Sequence, residues 1–245
     1  RVLAQENLRA LLFAVAQGPC VLREGLHDDP AGVHGGYDVV AGSNRAPQPF
    51  FNREEVLGGF EVFRIFFHEQ RLGARAGDAL ILTKPIGSGV LFNANLKGWV
   101  DAAAMAACYA VISTLNKVAA EVFAASGAVH AATDVTGFGL AGHALEMAHG
   151  SGVSLHIDVD RLPQLAQALA MYERGMTTGV NVANHELVDA TTRFDRELSP
   201  AMRELLIDPQ TSGGLLVAVD GPQADATLQA LLDNVISDSR WDFTF

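Results

Sequence analysis

The sequence predicts a mixed fold of helices and strands, α/β or α+β, over residues 77–235. Apolar residues make up 49% of the 245-residue chain, which is ample for a packed core. Within this region, short apolar runs alternate with segments whose apolar side chains recur at three- and four-residue steps. No internal repeat is visible in the sequence, so the region is predicted to fold as one domain.

The order of the elements follows from periodicity, turn residues and helix caps. Apolar runs closed by glycine or proline predict strands, and amphipathic runs predict helices. Pro163 is expected in the first turn of one helix, and Ser199 and Pro200 as the N-cap and first residue of another. The predicted elements are a strand from 78 closed by Lys84-Pro85, a helix over 99–126, a strand over 128–135, a helix within 136–150, a strand over 153–160, helices over 162–175 and 199–207, a strand within 208–219 and a helix over 221–234.

The N-terminal part of the chain is less orderly. Leucines at helical spacing predict an amphipathic helix over residues 2–24, ended or interrupted near Pro19. A stretch rich in glycine, proline and aspartate follows, with strand candidates at 37–40 and 60–67. Because the chain begins with arginine in the middle of a helical pattern, we expect it to be a fragment of a longer protein.

Composition excludes several classes of function. Lys and Arg total 17 against 28 Asp and Glu, a net charge of -11, which argues against a nucleic-acid binder but not against nucleotides accompanied by a metal ion. No signal peptide and no run of about 18 apolar residues is present, so a cytoplasmic protein without a membrane partner is expected. Two cysteines are too few for a disulfide framework, and Cys20 and Cys108 are each predicted to be reduced, buried and structural.

The stretch TDVTGFGLAGH, residues 133–143, has two incompatible interpretations. Its glycines have the spacing G-x-G-x-x-G between a predicted strand and helix, and Asp158 follows about twenty residues later, as in a dinucleotide site. Against this interpretation, Asp134 lies three residues before the first glycine. Its carboxylate would repel a pyrophosphate unless a cation intervened. A dinucleotide site is therefore the weaker interpretation.

The second interpretation assigns a metal ion to Asp134. A carboxylate at a strand end is rigidly held, and Mg²⁺ takes oxygen ligands, commonly one or two carboxylates beside phosphate oxygens and water. Thr136 is expected to cap the following helix, and free N–H groups from Gly137 to Gly139 would favour an anion. A third possibility is that Asp134 caps the turn and binds nothing, so the residues alone leave the choice open.

Two further glycine-containing segments offer weaker signals. In DPQTSGGLL, the adjacent Gly213 and Gly214 allow close approach by another chain segment or a ligand, or simply a tight turn. Lys84 in LTKPIGSG could contact a phosphate or belong to a turn. His143 and Glu146 have the spacing of a packing pair and of an acid–base couple. The sequence contains no P-loop, nucleophile elbow or zinc-protease helix.

Three blocks occur together and in order: GDALILTKPIGSGVL, TDVTGFGLAGHALEM and DPQTSGGLLVAV. Their combination closely resembles the selenide, water dikinase (selenophosphate synthetase) family, over about residues 77–234. The resemblance implies an α+β fold (an α/β sandwich) similar to aminoimidazole ribonucleotide synthetase. It also implies a division into a partial N-terminal ATP-binding and dimerisation domain at 1–76, a synthetase-like C-terminal domain at 77–235 and a divergent tail at 236–245.

The resemblance implies a reaction in which ATP, selenide and water give selenophosphate, AMP and phosphate, with Mg²⁺ as cofactor. Asp134 matches the third metal-binding aspartate of the family, and the surrounding nucleotide-contacting residues are Thr133, Thr136, Gly137 and Gly139. The family's glycine-rich loop with a reactive cysteine or selenocysteine, its lysine and two further aspartates have no match in this sequence, and Cys20 does not match the nucleophile. No catalytic residue is therefore assigned, and impaired activity is expected.

Two alternatives remain open beside an impaired synthetase. One is a non-catalytic remnant that forms a homodimer or pairs with an intact synthetase. The other is a different ATP-dependent enzyme of the same superfamily, such as a hydrogenase-maturation or thiamine-phosphate kinase relative.

Overall fold

The computed structural model describes residues 12–19 and 73–236, and its centre is one five-stranded sheet. All neighbouring strands are antiparallel. The strands are β1 (Leu12–Pro19), β2 (Ala79–Leu82), β3 (Val129–Asp134), β4 (Val153–Ile157) and β5 (Leu215–Val219), in the spatial order β3-β5-β2-β1-β4.

Helices cover both faces of this sheet. Successive side chains of a strand point to opposite faces, so Leu80 and Leu82 join one buried cluster while Ala79 and Ile81 join the other. The first cluster packs under the helices α1, α2, α4, α5 and α7, and the second under α3 and α8. Their bounds are α1 (Ser88–Leu96), α2 (Ala102–Ser113), α3 (Lys117–Ser126), α4 (Gly139–Ser151), α5 (Ala168–Glu173), α6 (Asn181–Val188), α7 (Pro200–Leu206) and α8 (Ala224–Ile236).

An α+β architecture, a sheet sandwiched between helices, is therefore confirmed. The predicted strands at β2, β3, β4 and β5 are present, and α7 begins as expected, with the Ser199 hydroxyl accepting from the N–H of Met202 at 3.2 Å and Pro200 as its first residue. Cys108 is buried and free, as predicted. Cys20 and the strand candidates at 37–40 and 60–67 lie outside the described residues.

The predicted N-terminal helix over 2–24 is wrong for residues 12–19, which form β1. This strand lies between β2 and β4, and its backbone pairs with both, Ala14 opposite Leu80 and Val15 opposite His156. Short apolar runs suit either a helix or a buried strand. Hydrogen bonding to two neighbouring strands overrides a local preference for helix, which is worth only tenths of a kcal/mol per residue.

The single helix predicted over 99–126 is also wrong, because it is broken into α2 and α3 at an angle of 50°. Thr114 leaves the helical conformation, and its hydroxyl bonds back to the carbonyl of Ala110 at 3.0 Å. Its own carbonyl accepts from the Lys84 ammonium at 2.7 Å, which fixes the break. Within the described ranges no single helix is long and apolar enough to cross a membrane, although this bent pair passes that test jointly.

The helix predicted over 162–175 is shorter than expected, since α5 begins only at Ala168. Pro163 precedes it in extended chain, where its carbonyl accepts from the N–H of Ile86 at 3.0 Å and Leu165 returns a bond to Ile86 at 2.9 Å. These tertiary bonds compete with the first helical turn. Gln167 then reverses the chain with a φ of 68°. The helices α1 and α6 were not anticipated by the periodicity.

Candidate functional site

The three sequence blocks meet at one end of the sheet, where β2 and β3 finish and β5 begins. The strands come together in this way because β2 and β3 are antiparallel to β5, and Asp134 lies opposite Leu215. The N–H of Val135 donates to the carbonyl of Gly214 at 2.9 Å, and the N–H of Gln210 donates to the carbonyl of Thr136 at 2.9 Å. Segments that are far apart in the chain therefore form one packed unit.

The adjacent glycines of the third block are needed for this packing. A Cβ atom on Gly213 would overlap the carbonyl oxygen of Val135, and one on Gly214 would lie 2.5 Å from the backbone nitrogen of Lys84. Real Cβ atoms do not approach other atoms so closely. The sequence allowed close approach by another chain segment or by a ligand. The structure confirms close approach by other chain segments.

Asp208 and Gln210 hold the first block against the third. The carboxylate of Asp208 is fully buried and accepts four hydrogen bonds, from the N–H groups of Gly89 (3.0 Å) and Val90 (2.8 Å), the Tyr172 hydroxyl (2.6 Å) and the Gln210 amide (2.9 Å). The other end of the Gln210 amide accepts from the N–H of Gly87 at 3.1 Å. Asp208 therefore caps the first turn of α1 from a distant part of the chain.

Burial dominates the electrostatics around Asp208. It raises the pKa of this carboxyl to about 6, although hydrogen bonds from Tyr172, Gly89, Val90 and Gln210 act in the opposite direction. Burial, followed by the nearby Asp208 charge, raises the pKa of Cys108 to about 11. The same two causes raise the pKa of the Tyr172 hydroxyl. A thiol with so high a pKa is inert near neutral pH.

Lys84 is a buried structural residue. Its side chain is 3% exposed, and its ammonium donates to the carbonyls of Thr114 at 2.7 Å and Ser212 at 2.8 Å. Burial lowers the pKa of Lys84 to about 8. Of the two predicted roles, a phosphate contact and a turn, the geometry favours the second, because the ammonium already ties the α2–α3 break to the third block.

The burial of Lys84 predicts an unusual pH dependence of stability. Its folded pKa of about 8 lies below the ordinary 10.5, so between these values the unfolded chain holds the proton and the folded chain releases it. Lys84 therefore costs stability below pH 8, and the cost is relieved toward pH 10.5, by at most about 1.4 kcal/mol per pH unit. Urea unfolding should show wild type gaining stability over Lys84→Met across this range. If the stabilities of wild type and Lys84→Met changed equally with pH, the lowered pKa of Lys84 would be contradicted.

Asp134 lies at the end of β3, half-buried, at the rim of the packed unit. Among the described residues its carboxylate has no hydrogen-bond or ion-pair partner. Thr133 beside it is buried, and its hydroxyl donates to the backbone carbonyl of Asp134 at 3.2 Å. The third interpretation, in which Asp134 caps the turn, therefore finds no support in this part of the chain.

Thr136 does not cap the following helix, contrary to expectation. The N-cap of α4 is Phe138, with no side-chain cap. The hydroxyl of Thr136 lies 3.1 Å from Nε2 of His143, and its carbonyl accepts from the N–H of Gly139 at 3.1 Å. Gly137 is exposed, and its carbonyl accepts from the Asn184 amide at 2.9 Å. The N–H groups of residues 136–138 donate no hydrogen bond within the described residues.

The dinucleotide interpretation is wrong. A dinucleotide fold needs neighbouring parallel strands, but β3 and β4 lie at opposite edges of an antiparallel sheet. Gly139 instead has a φ of 68°, and a Cβ there would lie 2.5 Å from the carbonyl carbon of Ile207. Asp158 accepts from the N–H of Asp160 at 3.1 Å in a local turn. Gly139 thus serves packing against Ile207 rather than a pyrophosphate.

Residues 75–236 match the protein family described as AIR synthase related protein, C-terminal domain. The chain belongs to this family. The AIR synthase related domain thus includes all three blocks and the strands β2 to β5. The proposed domain boundaries at 76 and 235 remain predictions.

Curated relatives carry the name selenide, water dikinase, which confirms the resemblance. The one from Paraburkholderia xenovorans is 43% identical over 163 residues, which cover 66% of this chain and 46% of that protein. Those from Myxococcus xanthus and Aeromonas hydrophila are 36% and 37% identical over 206 and 209 residues, covering 83% and 85% of this chain and 56% of each relative. The chain therefore spans about half the length of the curated relatives it matches.

A solved structure, thiamine-monophosphate kinase from Stenotrophomonas maltophilia, is 21% identical. It matches 68% of this chain and 46% of its own chain with a TM-score of 0.38.

The described residues around Asp134 are compatible with a bound cation. The carboxylate of Asp134, which has no partner among the described residues, offers the oxygen that Mg²⁺ prefers. Asp134 belongs to no group of three close ligands within the described residues; such a group, Asp78, His130 and Asp220, lies at the opposite end of the sheet. Asp134 is therefore a candidate ligand that contributes one carboxylate among the described residues.

Sequence reasoning missed the roles of Asp208, Gln210 and Asn184. Their partners are backbone groups in distant segments, and no local spacing reveals such contacts. One signal was present for Asp208, an aspartate directly before proline at the end of a helix, which suggests a cap. Its target, the start of α1, could not be read from the sequence.

Proposed function

We propose that the chain supplies the C-terminal half of a selenide, water dikinase, which makes selenophosphate, AMP and phosphate from ATP, selenide and water. The observation that carries this proposal is the carboxylate of Asp134, which has no partner among the described residues and is held by β3 at the rim where the three blocks meet. The names of the relatives support this choice of reaction.

Phosphoryl transfer depends on neutralising and positioning the phosphate oxygens. Mg²⁺, when bound, supplies positive charge to them. Asp134 would hold the ion, the exposed Gly137 would lie at the rim beside the nucleotide, and the buried Thr133 and Gly139 would support the backbone behind it. The uncapped N-terminus of α4 presents the positive end of its helix dipole there, which favours an anion.

Low activity of this chain alone is part of the proposal. By the resemblance, the family's nucleophile, lysine and two other aspartates lie upstream of the segments that match this sequence. Cys108 is buried with its pKa raised to about 11, so it offers no thiolate near neutral pH. The Lys84 ammonium already donates to two backbone carbonyls, those of Thr114 and Ser212.

Domain replacement tests the proposal directly. Residues 75–236 would replace the matching part of the Paraburkholderia xenovorans dikinase, and selenophosphate formation would be followed by ³¹P NMR. We expect selenide-dependent activity, and a loss of about 100-fold or more with Asp134→Asn, the scale of removing one charge-stabilising group. Asp195→Asn, which changes an exposed carboxylate, is the matched control. A folded but inactive chimera would overturn the proposal.

A second candidate is a non-catalytic chain that forms a homodimer or pairs with an intact synthetase. Large apolar side chains exposed on the described surface favour it, namely Leu96 at 85%, Val182 at 72% and Leu115 at 67% exposure. Gel filtration of the chain, alone and with the intact dikinase, should then show a complex that persists with Asp134→Asn. A third candidate, another ATP-dependent enzyme of the superfamily, would hydrolyse ATP equally with and without selenide.

A further inference from the structure

A chain of three polar side chains leads from the surface of α4 to the rim of the site. Nδ1 of His143 lies 3.0 Å from a carboxylate oxygen of Glu146, and its Nε2 lies 3.1 Å from the hydroxyl of Thr136. The imidazole is only 6% exposed, and the ring of Phe138 packs against it at 5.5 Å. Glu146 is half-exposed, so the chain connects solvent to Thr136 through a buried histidine.

The partners of His143 determine the direction of these hydrogen bonds. A carboxylate only accepts, so Nδ1 of His143 carries the hydrogen that Glu146 receives. In a neutral imidazole the other nitrogen is then an acceptor, and the Thr136 hydroxyl must donate to it. The hydroxyl hydrogen is thereby turned inward. The lone pairs of the Thr136 oxygen are left facing away from His143.

Thr136 and Asp134 lie on the same side of the chain. The residue between them, Val135, is fully buried, whereas both neighbours are half-buried at the rim. In extended backbone, alternate side chains share a face. The burial pattern therefore places the carboxylate of Asp134 and the hydroxyl of Thr136 on the same half-buried side of the chain, directly at and after the end of β3.

We propose that the Thr136 hydroxyl oxygen is a second protein ligand of the divalent cation held by Asp134. This inference rests on the proposed function for the identity of the site. His143 and Glu146 are positioning residues that orient the hydroxyl through the imidazole. A hydroxyl whose hydrogen is already donated suits a hard cation, which binds lone pairs, and does not suit a bare phosphate oxygen, which needs a donor.

The position of the hydrogen on the His143 ring, which sets the direction of both hydrogen bonds, can be measured without any ligand. Two-bond ¹H–¹⁵N NMR of the full chain labelled in histidine should show His143 with hydrogen on Nδ1 and a bare, accepting Nε2. His143→Gln assigns the signals. Glu146→Gln should remove the preference, because an amide can donate as well as accept. His149→Gln, at an exposed position of the same helix, should leave it unchanged. Hydrogen on Nε2 in the wild type would overturn the proposal.

Mn²⁺ alone, titrated into the full chain, tests the ligand assignment. We expect paramagnetic broadening of the amide signals of residues 134–137, about tenfold weaker Mn²⁺ affinity in Thr136→Val and in His143→Leu, and near-wild-type affinity in Thr136→Ser. A merely structural role for His143 would lower the melting temperature without changing Mn²⁺ affinity in the folded protein. That result, or equal affinity of Thr136→Val and wild type, would overturn the proposal.

The two proposals fail in different ways. If wild type binds no Mn²⁺ near Asp134, the ligand assignment is overturned, while the activity of the chimera still decides the reaction. If the chimera is inactive but Mn²⁺ binds in a manner that depends on Thr136, the cation site stands and the reaction does not.

Discussion

Replacing Gly139 by alanine is expected to lower the free energy of unfolding by about 2 to 5 kcal/mol. Two costs add at this position. Gly139 has a φ of 68°, in the left-handed region that residues with a Cβ avoid. A Cβ would also lie 2.5 Å from the carbonyl carbon and 2.7 Å from Cα of Ile207. Backbone atoms in a packed core cannot move aside as a flexible side chain can.

The same motif contains the matched control for this experiment. A Cβ on Gly137 would meet no atom within 4 Å, and its φ is not positive. Gly137→Ala should therefore change stability by less than about 0.5 kcal/mol. Urea unfolding of both variants makes the comparison. Similar stabilities for the two would refute the packing role of Gly139 and reopen a ligand-cradling role for the motif.

Asp208→Asn is expected to destabilise the protein by about 3 kcal/mol, although it is nearly isosteric. All four partners of the Asp208 carboxylate are donors, so it is an acceptor-only site. An asparagine replaces one oxygen by an NH₂ group that must face two of these donors. Each buried donor without a partner costs about 1 to 3 kcal/mol. Asp195→Asn at the surface, measured by the same urea unfolding, should have almost no effect.

The pH dependence distinguishes the role of Asp208 from a general loss of packing. Its folded pKa of about 6 exceeds the ordinary 3.8, so the folded chain binds a proton that the unfolded chain has released between these values. The contribution of Asp208 to stability therefore decreases as pH rises from about 4 to about 6. This slope should be absent from Asp208→Asn. The same slope in both proteins would show that another group titrates.

The central strands follow from the sequence because their signal is unambiguous. β2 and β5 are buried on both faces, so they are unbroken apolar runs closed by turn residues. β1 has the same kind of short apolar run, but no turn residue marks where it begins, and its place between β2 and β4 depends on pairing with residues far along the chain. The break between α2 and α3 likewise depends on Lys84, which no local pattern connects to Thr114.

The candidate site shows the same limit. Asp134 at the end of a strand is predictable from the polar end of an apolar run. The hydroxyl of Thr136 suits an N-cap when only the sequence is considered, because a threonine shortly before a helix often caps it. Its actual partner, His143, lies one turn inside that helix and is brought near by the tight Gly137–Gly139 turn. Local propensity finds the residues and not their partners.

The contact of Gly213 and Gly214 with the backbones of Val135 and Lys84 has an evolutionary consequence. A side chain added at either glycine would require a rearrangement in a different block. Single substitutions at Gly213 or Gly214 should therefore be eliminated by selection. Among homologues, these positions should remain fixed or change together. The three blocks would then be inherited as one composite unit.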